Sequence, residues 1–341
     1  MELTSRTHSA DDYAAAQELC EAQGWTDGLP VIPATRERIT AMLEAAKLAP
    51  GTQLAFIEDR QVRVTAEKVA INAVMAGCKP EYMPVVAAAI RAMGDKRFGY
   101  HGPATSTNGG AIFLLVNGPV ARRLEINAGD NLFGPGFRAN ATIGRAIRLV
   151  MRNVMGNKPG ELDKACLGHG GKYSYCIAED EAGSPWPPFH TTRGFSPEQD
   201  AVTVFAALAP DQYYNQLSST PEGLLATLCA QMRISSTTGW RAEYALVFAG
   251  EHQAVLRNAG WSREDVQRYV WENCRASAAE LKRASMRGGE LKPEDEGKFF
   301  PIVEQPQDLL VIAAGGKAGA QSCFIPGWAA KSLSLSVTVP V

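Results

Sequence analysis

The sequence predicts an α/β protein, a mixed sheet with flanking helices, arranged as two related lobes around one central site. Three observations carry this. Continuous apolar runs of strand length, AIFLLV (111–116), YALVFA (244–249) and LLVIAA (309–314), end in small-residue turns at Asn117-Gly118, Ala249-Gly250 and Gly315-Gly316. A run that is apolar at every position reads as a strand covered on both faces. Segments of helical periodicity alternate with these runs, the pattern of layered α/β architecture. Finally, VNGPVARRLEINAG (116–129) and GEHQAVLRNAG (250–260) share a glycine after the strand, a short helix and a closing Asn-Ala-Gly, a weak internal repeat.

Residues 1–50 read as a helical and extended N-terminal arm. Ser9 with Asp12 three residues on spells a capping box, and Gly24 closes that helix. A proline-bounded stretch around Asp27-Gly28 follows, then a helix from about Arg36 to Lys47. Residues 51–200 form the first lobe. Thr65 caps EKVAINAVMAG, apolar on nearly every side and therefore buried, and Gly77 ends it. Cys78 lies in the turn before Pro80 opens a helix to Met93. FGYHGPATSTNGG (98–110) is a polar loop into the first buried strand.

The loop 131–137 turns through Gly134, Pro135 and Gly136 into a two-faced helix. Ile143, Ile147, Val150, Met151 and Val154 fall on one side, Arg145, Arg148 and Arg152 on the other. Arg138 joins the stripe if the helix starts early and sits in the loop if Asn140 is the N-cap. The long loop 156–198 gathers His169, Lys172, Tyr173, Tyr175 and Cys176. In the second lobe, 201–341, a strand at 202–208 precedes a helix led by Pro221. Ser262 and Asp265 cap a long helix to about Met286, and LKPEDEGKFFP is a charged surface excursion. KSLSLSVTV closes the chain as a period-two strand, with Leu333, Leu335, Val337 and Val339 on one face.

A formal net charge of −2 gives no global attraction to nucleic acid or an anionic membrane. No run of about 18 apolar residues exists and the first residues are polar, so a cytoplasmic chain without a signal peptide is expected. Seven scattered cysteines without a CxxC pair indicate neither a disulfide framework nor a zinc ribbon. Histidines at 101, 169, 190 and 252 show no metal-ligand spacing. GxSxG, GxGxxG and GxxxxGK[ST] are all absent, which leaves the cofactor open.

The strings TDGLPVIPATRERI, KVAINAVMAGCKPEY, FGPGFRANATIGRA, GKYSYCIAEDEAGSPW and AGGKAGAQSCFIPGW resemble a poorly characterised bacterial family associated with the UGSC-motif selenoproteins. There is no selenocysteine here, and GAQSC (319–323) echoes only the glycine-serine-cysteine core. The resemblance implies a bacterial cytosolic protein with a thiol or redox connection.

A glycine turn running into a helix start among guanidinium groups is how carboxylates and phosphates are held, although solvated arginines paired with surface carboxylates give the same pattern. The expected function is therefore an enzyme on a small anionic organic substrate. Arg138, Asn140, Arg145 and Arg148, with the turns Asn117-Gly118 and Gly315-Gly316, would bind it. His169, Lys172 and Tyr173 would supply acid–base groups, and Cys78, Cys176 or Cys323 a nucleophile or redox centre. Cysteine-assisted reductive cleavage and lyase or hydrolase chemistry stay open. So does a non-catalytic subunit that docks a partner or a second copy.

Overall fold

Apolar runs without a polar face need cover on both sides, and the chain supplies it with sheet on one side and helix on the other. The computed structural model describes residues 1–234 and 241–341. Helices α1 (Tyr13–Ala22) and α2 (Arg36–Ala45) lead to a hairpin, β1 (Gln53–Ile57) with β2 (Val62–Thr65), and then α3 (Ala66–Ala76), α4 (Met83–Met93) and the short α5 (His101–Thr105). Next come β3 (Ala111–Asn117), α6 (Pro119–Arg123), α7 (Arg138–Asn153), β4 (Cys176–Ala178) and β5 (Ala201–Ala207). The remainder is β6 (Asp211–Tyr214), α8 (Pro221–Met232), β7 (Tyr244–Phe248), α9 (Gly250–Asn258), α10 (Arg263–Asn273), β8 (Arg275–Ser277), α11 (Ala278–Arg283), β9 (Phe299–Pro301), β10 (Leu309–Ala313), β11 (Gln321–Pro326) and β12 (Val337–Pro340).

Two mixed four-stranded sheets, β12-β5-β3-β4 and β10-β7-β11-β6, make an α/β fold of four layers. Side chains alternate along each strand, so each run feeds two cores. Phe113, Leu115 and Phe205 of the first sheet meet Val247, Ile312 and Ile325 of the second. Leu114, Val116 and Val204 face α3, α4 and α7, while Leu246, Val311 and Phe324 face α8 and α10. Strands 201–207 and 337–340 both complete the first sheet, by antiparallel pairing of β5 with β3 and of β12 with β5.

The two sheets repeat one topology. In the first, β3 runs parallel to β4 and antiparallel to β5; in the second, β7 runs parallel to β10 and antiparallel to β11. Val116 pairs with Ala178 and Val202, as Phe248 pairs with Ala313 and Ser322, so these residues are counterparts. Gly118 and Gly250 then stand two residues beyond Val116 and Phe248, Gly118 as the N-cap of α6 and Gly250 as the first residue of α9.

Three stretches differ from the sequence reading. The helix expected to run to about Met286 stops at Asn273, because 275–277 pair with Phe299–Pro301 and Ser277 starts a new helix by accepting from Glu280 N. The supposed surface excursion thus supplies a strand. The closing period-two segment is strand only over 337–340: Leu335 N donates to Arg97 O and Ser334 Oγ to Phe98 O, while Leu333 is exposed. The first helix is capped by Asp12, which accepts from Ala15 N, and not by Ser9.

Candidate functional site

The two halves form two clefts from equivalent parts. Each joins the helix–helix connection of one half to the strand–strand connection of the other. The glycine cleft, about 400 Å³, takes residues 131–134 between α6 and α7 and residues 314–323 around the β10–β11 connection; Val247, Ala249 and Gln212 complete it. The aromatic cleft, about 450 Å³, takes residues 185–192 from the β4–β5 connection and 257–264 from the α9–α10 connection.

The glycine cleft lies beyond the carboxyl ends of the parallel pair β7 and β10, where α/β folds leave a ligand-sized crevice. Its walls are small because the backbone crosses itself there. Gly315, at φ 112°, donates to Ala128 O at 2.8 Å, and a Cβ on it would stand 2.9 Å from that of Ala249. Gly316 accepts from Gly250 N at 2.9 Å. Gln212 Nε2 donates to Gln321 Oε1 at 2.7 Å along one rim. Cys323 faces the gap between the sheets, and burial, with Asp211 adding to it, pushes its thiol up to about 12.

Ser322, next to Cys323 in β11, turns its side chain to the opposite, helix-facing side of the sheet with Phe248 and Tyr213. Its Oγ stands 2.7 Å from His252 Nδ1 and accepts from Ala249 N at 3.2 Å. His252 Nε2 faces Asn215 O at 3.0 Å, and a carbonyl only accepts, so Nε2 carries the proton and Nδ1 accepts from the serine. Tyr213 stacks on the imidazole at 5.5 Å. Burial lowers the pKa of His252, which keeps the ring neutral near pH 7.

In the aromatic cleft both arginines already have partners, while Glu264 is exposed. Arg263 donates to Val311 O at 3.0 Å, Pro187 O at 2.9 Å and Glu179 Oε1 at 3.1 Å, and its guanidinium packs over Trp186 and Phe189. Glu179 also accepts from Phe189 N at 2.5 Å and Asn117 Nδ2 at 2.6 Å. Burial pushes its carboxyl up to about 7 against the opposing pull of Arg263. Trp186 Nε1 donates to Trp261 O, and Arg257 to Gly183 O.

The sequence-predicted residues divide between these clefts and the scaffold. Gly315, Gly316 and Cys323 line the glycine cleft with the 131–134 turn. Asn117 and Gly118 N bond Glu181 and, through Asn117, Glu179 beside the aromatic cleft. The Asn117-Gly118 and Gly315-Gly316 turns thus belong to different corners; it is the chain just past β4 that meets the end of β10, Asp180 N donating to Ala313 O at 2.8 Å. Arg145 grips Asp27 with Nε and Nη2 at 2.8 and 2.7 Å and also reaches Leu29 O and Pro30 O. Arg148 and Lys172 share Asp163 at 2.5 and 2.8 Å, which ties the 156–172 loop to α7. Arg138 opens α7 and donates to Gly77 O. Asn140 lies within α7, whose N-cap is Phe137, and bonds the backbone of Asn127 and Cys176 O. The carboxylates these arginines hold are the chain's own.

His169 Nδ1 accepts from Gly171 N, and its ring meets Tyr175, which meets Phe133 of the cleft wall. Burial is the main cause of its lowered pKa. Tyr173 is exposed. Burial raises the Cys78 thiol to about 12 and raises that of Cys176 as well. Among the described residues, no three His, Cys, Asp or Glu side chains come together in a way that could hold a metal ion. Likewise, no helix is long and apolar enough to cross a membrane. Sequence reasoning passed over Ser322 and His252 as a pair, because 70 residues separate them and no short motif links them.

No protein-family model matches the chain, and no protein of curated function is similar to it in sequence.

Proposed function

We propose that the chain is an enzyme acting on a small organic acid or acyl derivative bound in the glycine cleft. The observation that carries this is the bare wall of Ala249, Ala314, Gly315 and Gly316 at the carboxyl ends of two parallel strands. The Gln212 and Gln321 amides and the Cys323 thiol share the face that lines this space, polar groups that a purely structural crevice does not need. Among the described residues no cation lines the cleft, and Arg145 and Arg148 are occupied elsewhere. An acidic or carbonyl head therefore rests on backbone N–H groups and the Gln212 and Gln321 amides. With its thiol held up near 12, Cys323 serves as cleft wall in this reading and not as a ready thiolate.

The test is ligand-dependent melting against a panel of small carboxylic acids, amides and esters. Compounds that raise the melting temperature of the native chain should lose that effect in Gln212→Trp, which fills the cleft from an exposed rim position. They should also slow alkylation of Cys323. Stabilisation that survives Gln212→Trp and leaves Cys323 unprotected would place the ligand elsewhere.

A further inference from the structure

The rim of the glycine cleft carries two amides that are only half engaged. Strand register sets Gln212 of β6 opposite Cys323, and Gln321 two residues before Cys323 in β11. Alternation therefore puts Gln212, Gln321 and Cys323 on one face of the sheet, the face that lines the cleft. Two amides closed on each other would exchange two hydrogen bonds. Here one is made, from Gln212 Nε2 to Gln321 Oε1 at 2.7 Å, and among the described residues it is the one hydrogen bond either side chain makes. The Gln212 carbonyl oxygen and the Gln321 NH2 group are left over. Exchanging oxygen and nitrogen in both side chains changes which residue owns each group and nothing else. Either way the rim presents one spare carbonyl and one spare NH2.

Charge around the cleft narrows the guest further. Lys317, next in sequence to Gly316, is exposed and outside the lining, whereas carboxylates stand close by. A Cβ on Gly316 would run into the Asp130 carboxylate, so that carboxylate packs on a residue of the cleft wall. Asp211 precedes Gln212, and after burial it is the second cause that raises the Cys323 thiol. An anionic head would meet these like charges without a counter-ion, and its oxygens would face the spare amide carbonyl acceptor to acceptor. A neutral head with a donor and an acceptor side by side meets neither penalty. Leu132, Val247, Ala314 and the glycine backbone leave room for a short apolar body in a space of about 400 Å³.

We propose that the glycine cleft binds a small primary carboxamide with a short aliphatic body, and that the Gln212–Gln321 pair recognises its head. This rests on the glycine cleft being the ligand site, and it narrows the acyl derivative to the neutral amide. The N–H and C=O of a primary amide point the same way, so the guest fills both vacancies of the rim. Its N–H donates to the spare carbonyl, and its C=O accepts from the spare NH2. An ester or a fully alkylated amide lacks the donor; a carboxylate lacks it and adds a charge. Each of these leaves the spare carbonyl without a partner.

Isobutyramide, isobutyrate, methyl isobutyrate and N,N-dimethylisobutyramide share one body and differ in the head. Ligand-observed NMR titration of the full-length protein at neutral pH should rank isobutyramide first. Its lead over each of the others should be about tenfold, the scale of two neutral hydrogen bonds. Gln321→Leu should cut that lead to about threefold or less. Gln212→Leu, at an exposed rim position, should do the same and serves where the first variant fails to fold. Isobutyrate binding as tightly as isobutyramide, or a lead that the glutamine variants leave intact, would overturn the amide assignment. If Gln212→Trp abolishes the binding that is then seen, the cleft reading stands without it. Binding that Gln212→Trp leaves unchanged, or no binding by any of the four compounds, would overturn the cleft reading and the amide assignment together.

Discussion

The two clefts come from one topology, yet they are finished in opposite ways. At the strand end of the first half Glu179 projects, buried and paired with Arg263 of α10; at the counterpart position of the second half stands Ala314. The helix side differs in step. Arg263 donates to Val311 O, and Asn140 of α7 donates to the equivalent Cys176 O, both at 3.0 Å. The arginine continues past its carbonyl to meet Glu179, whereas the asparagine ends there and turns to Asn127. One corner of the duplicated fold is thereby locked by charge, and the other is left with alanine and glycine. Closed, internally satisfied polar networks favour rigidity, while bare backbone favours a ligand. Division of labour between the halves follows from these few positions.

The largest expected effect is on the locked corner. Arg263→Met strands Glu179 among apolar neighbours and should cost about 3–5 kcal/mol in urea denaturation at pH 8. Glu179→Gln combined with Arg263→Met should recover much of that loss. A loss under about 1 kcal/mol for the single variant would mean that the pair does not lock the corner.

The same pair sets a pH dependence. Glu179 titrates near 7 in the folded chain, above the ordinary glutamate value of 4.5, so folding favours its protonated form. That contribution is fully present below about 4.5 and is lost as pH rises through 7, at most about 3 kcal/mol. Glu179→Gln should flatten the fall in stability between pH 5 and 8. Identical profiles for the two chains would remove Glu179 as the source.

Asn140→Ala probes the counterpart contact. It leaves Asn127 N, Asn127 O and Cys176 O without their side-chain partner and should cost about 2–3 kcal/mol. The cost should be the same at pH 5 and pH 8, unlike that of Arg263→Met, because no titrating group is involved. A smaller effect is expected of Asp27→Asn, about 1–2 kcal/mol, seen as faster amide exchange over residues 24–32. Unchanged exchange there would show that Arg145 does not hold the arm.

Much of this architecture was legible in the sequence. The strands at 111–117, 201–207, 244–248 and 309–313 announced themselves because both faces are covered, which removes polar positions from the run. Helix α7 was legible from its period. What the pattern could not carry was partner choice. The stripe Arg138, Arg145 and Arg148 signals a need for acceptors, and it does not say whether those are a ligand or Asp27, Asp163 and the Gly77 carbonyl. Likewise β6, short and mostly exposed, gave no apolar run although it forms a rim of the glycine cleft. The repeat of Asn127-Ala128-Gly129 with Asn258-Ala259-Gly260 marked equivalent turns, but the divergence of Glu179 from Ala314 needs strand register to be seen.

Crystals soaked in small carboxylic esters and amides would show most directly which cleft takes a ligand. Bound compound should lie in the glycine cleft, against Cys323, Gln212 and the Gly315-Gly316 backbone, with the aromatic cleft unchanged. Compound bound instead between Trp186 and Trp261, or a glycine cleft that stays empty while compounds raise the melting temperature in solution, would contradict the assignment of function to the bare corner.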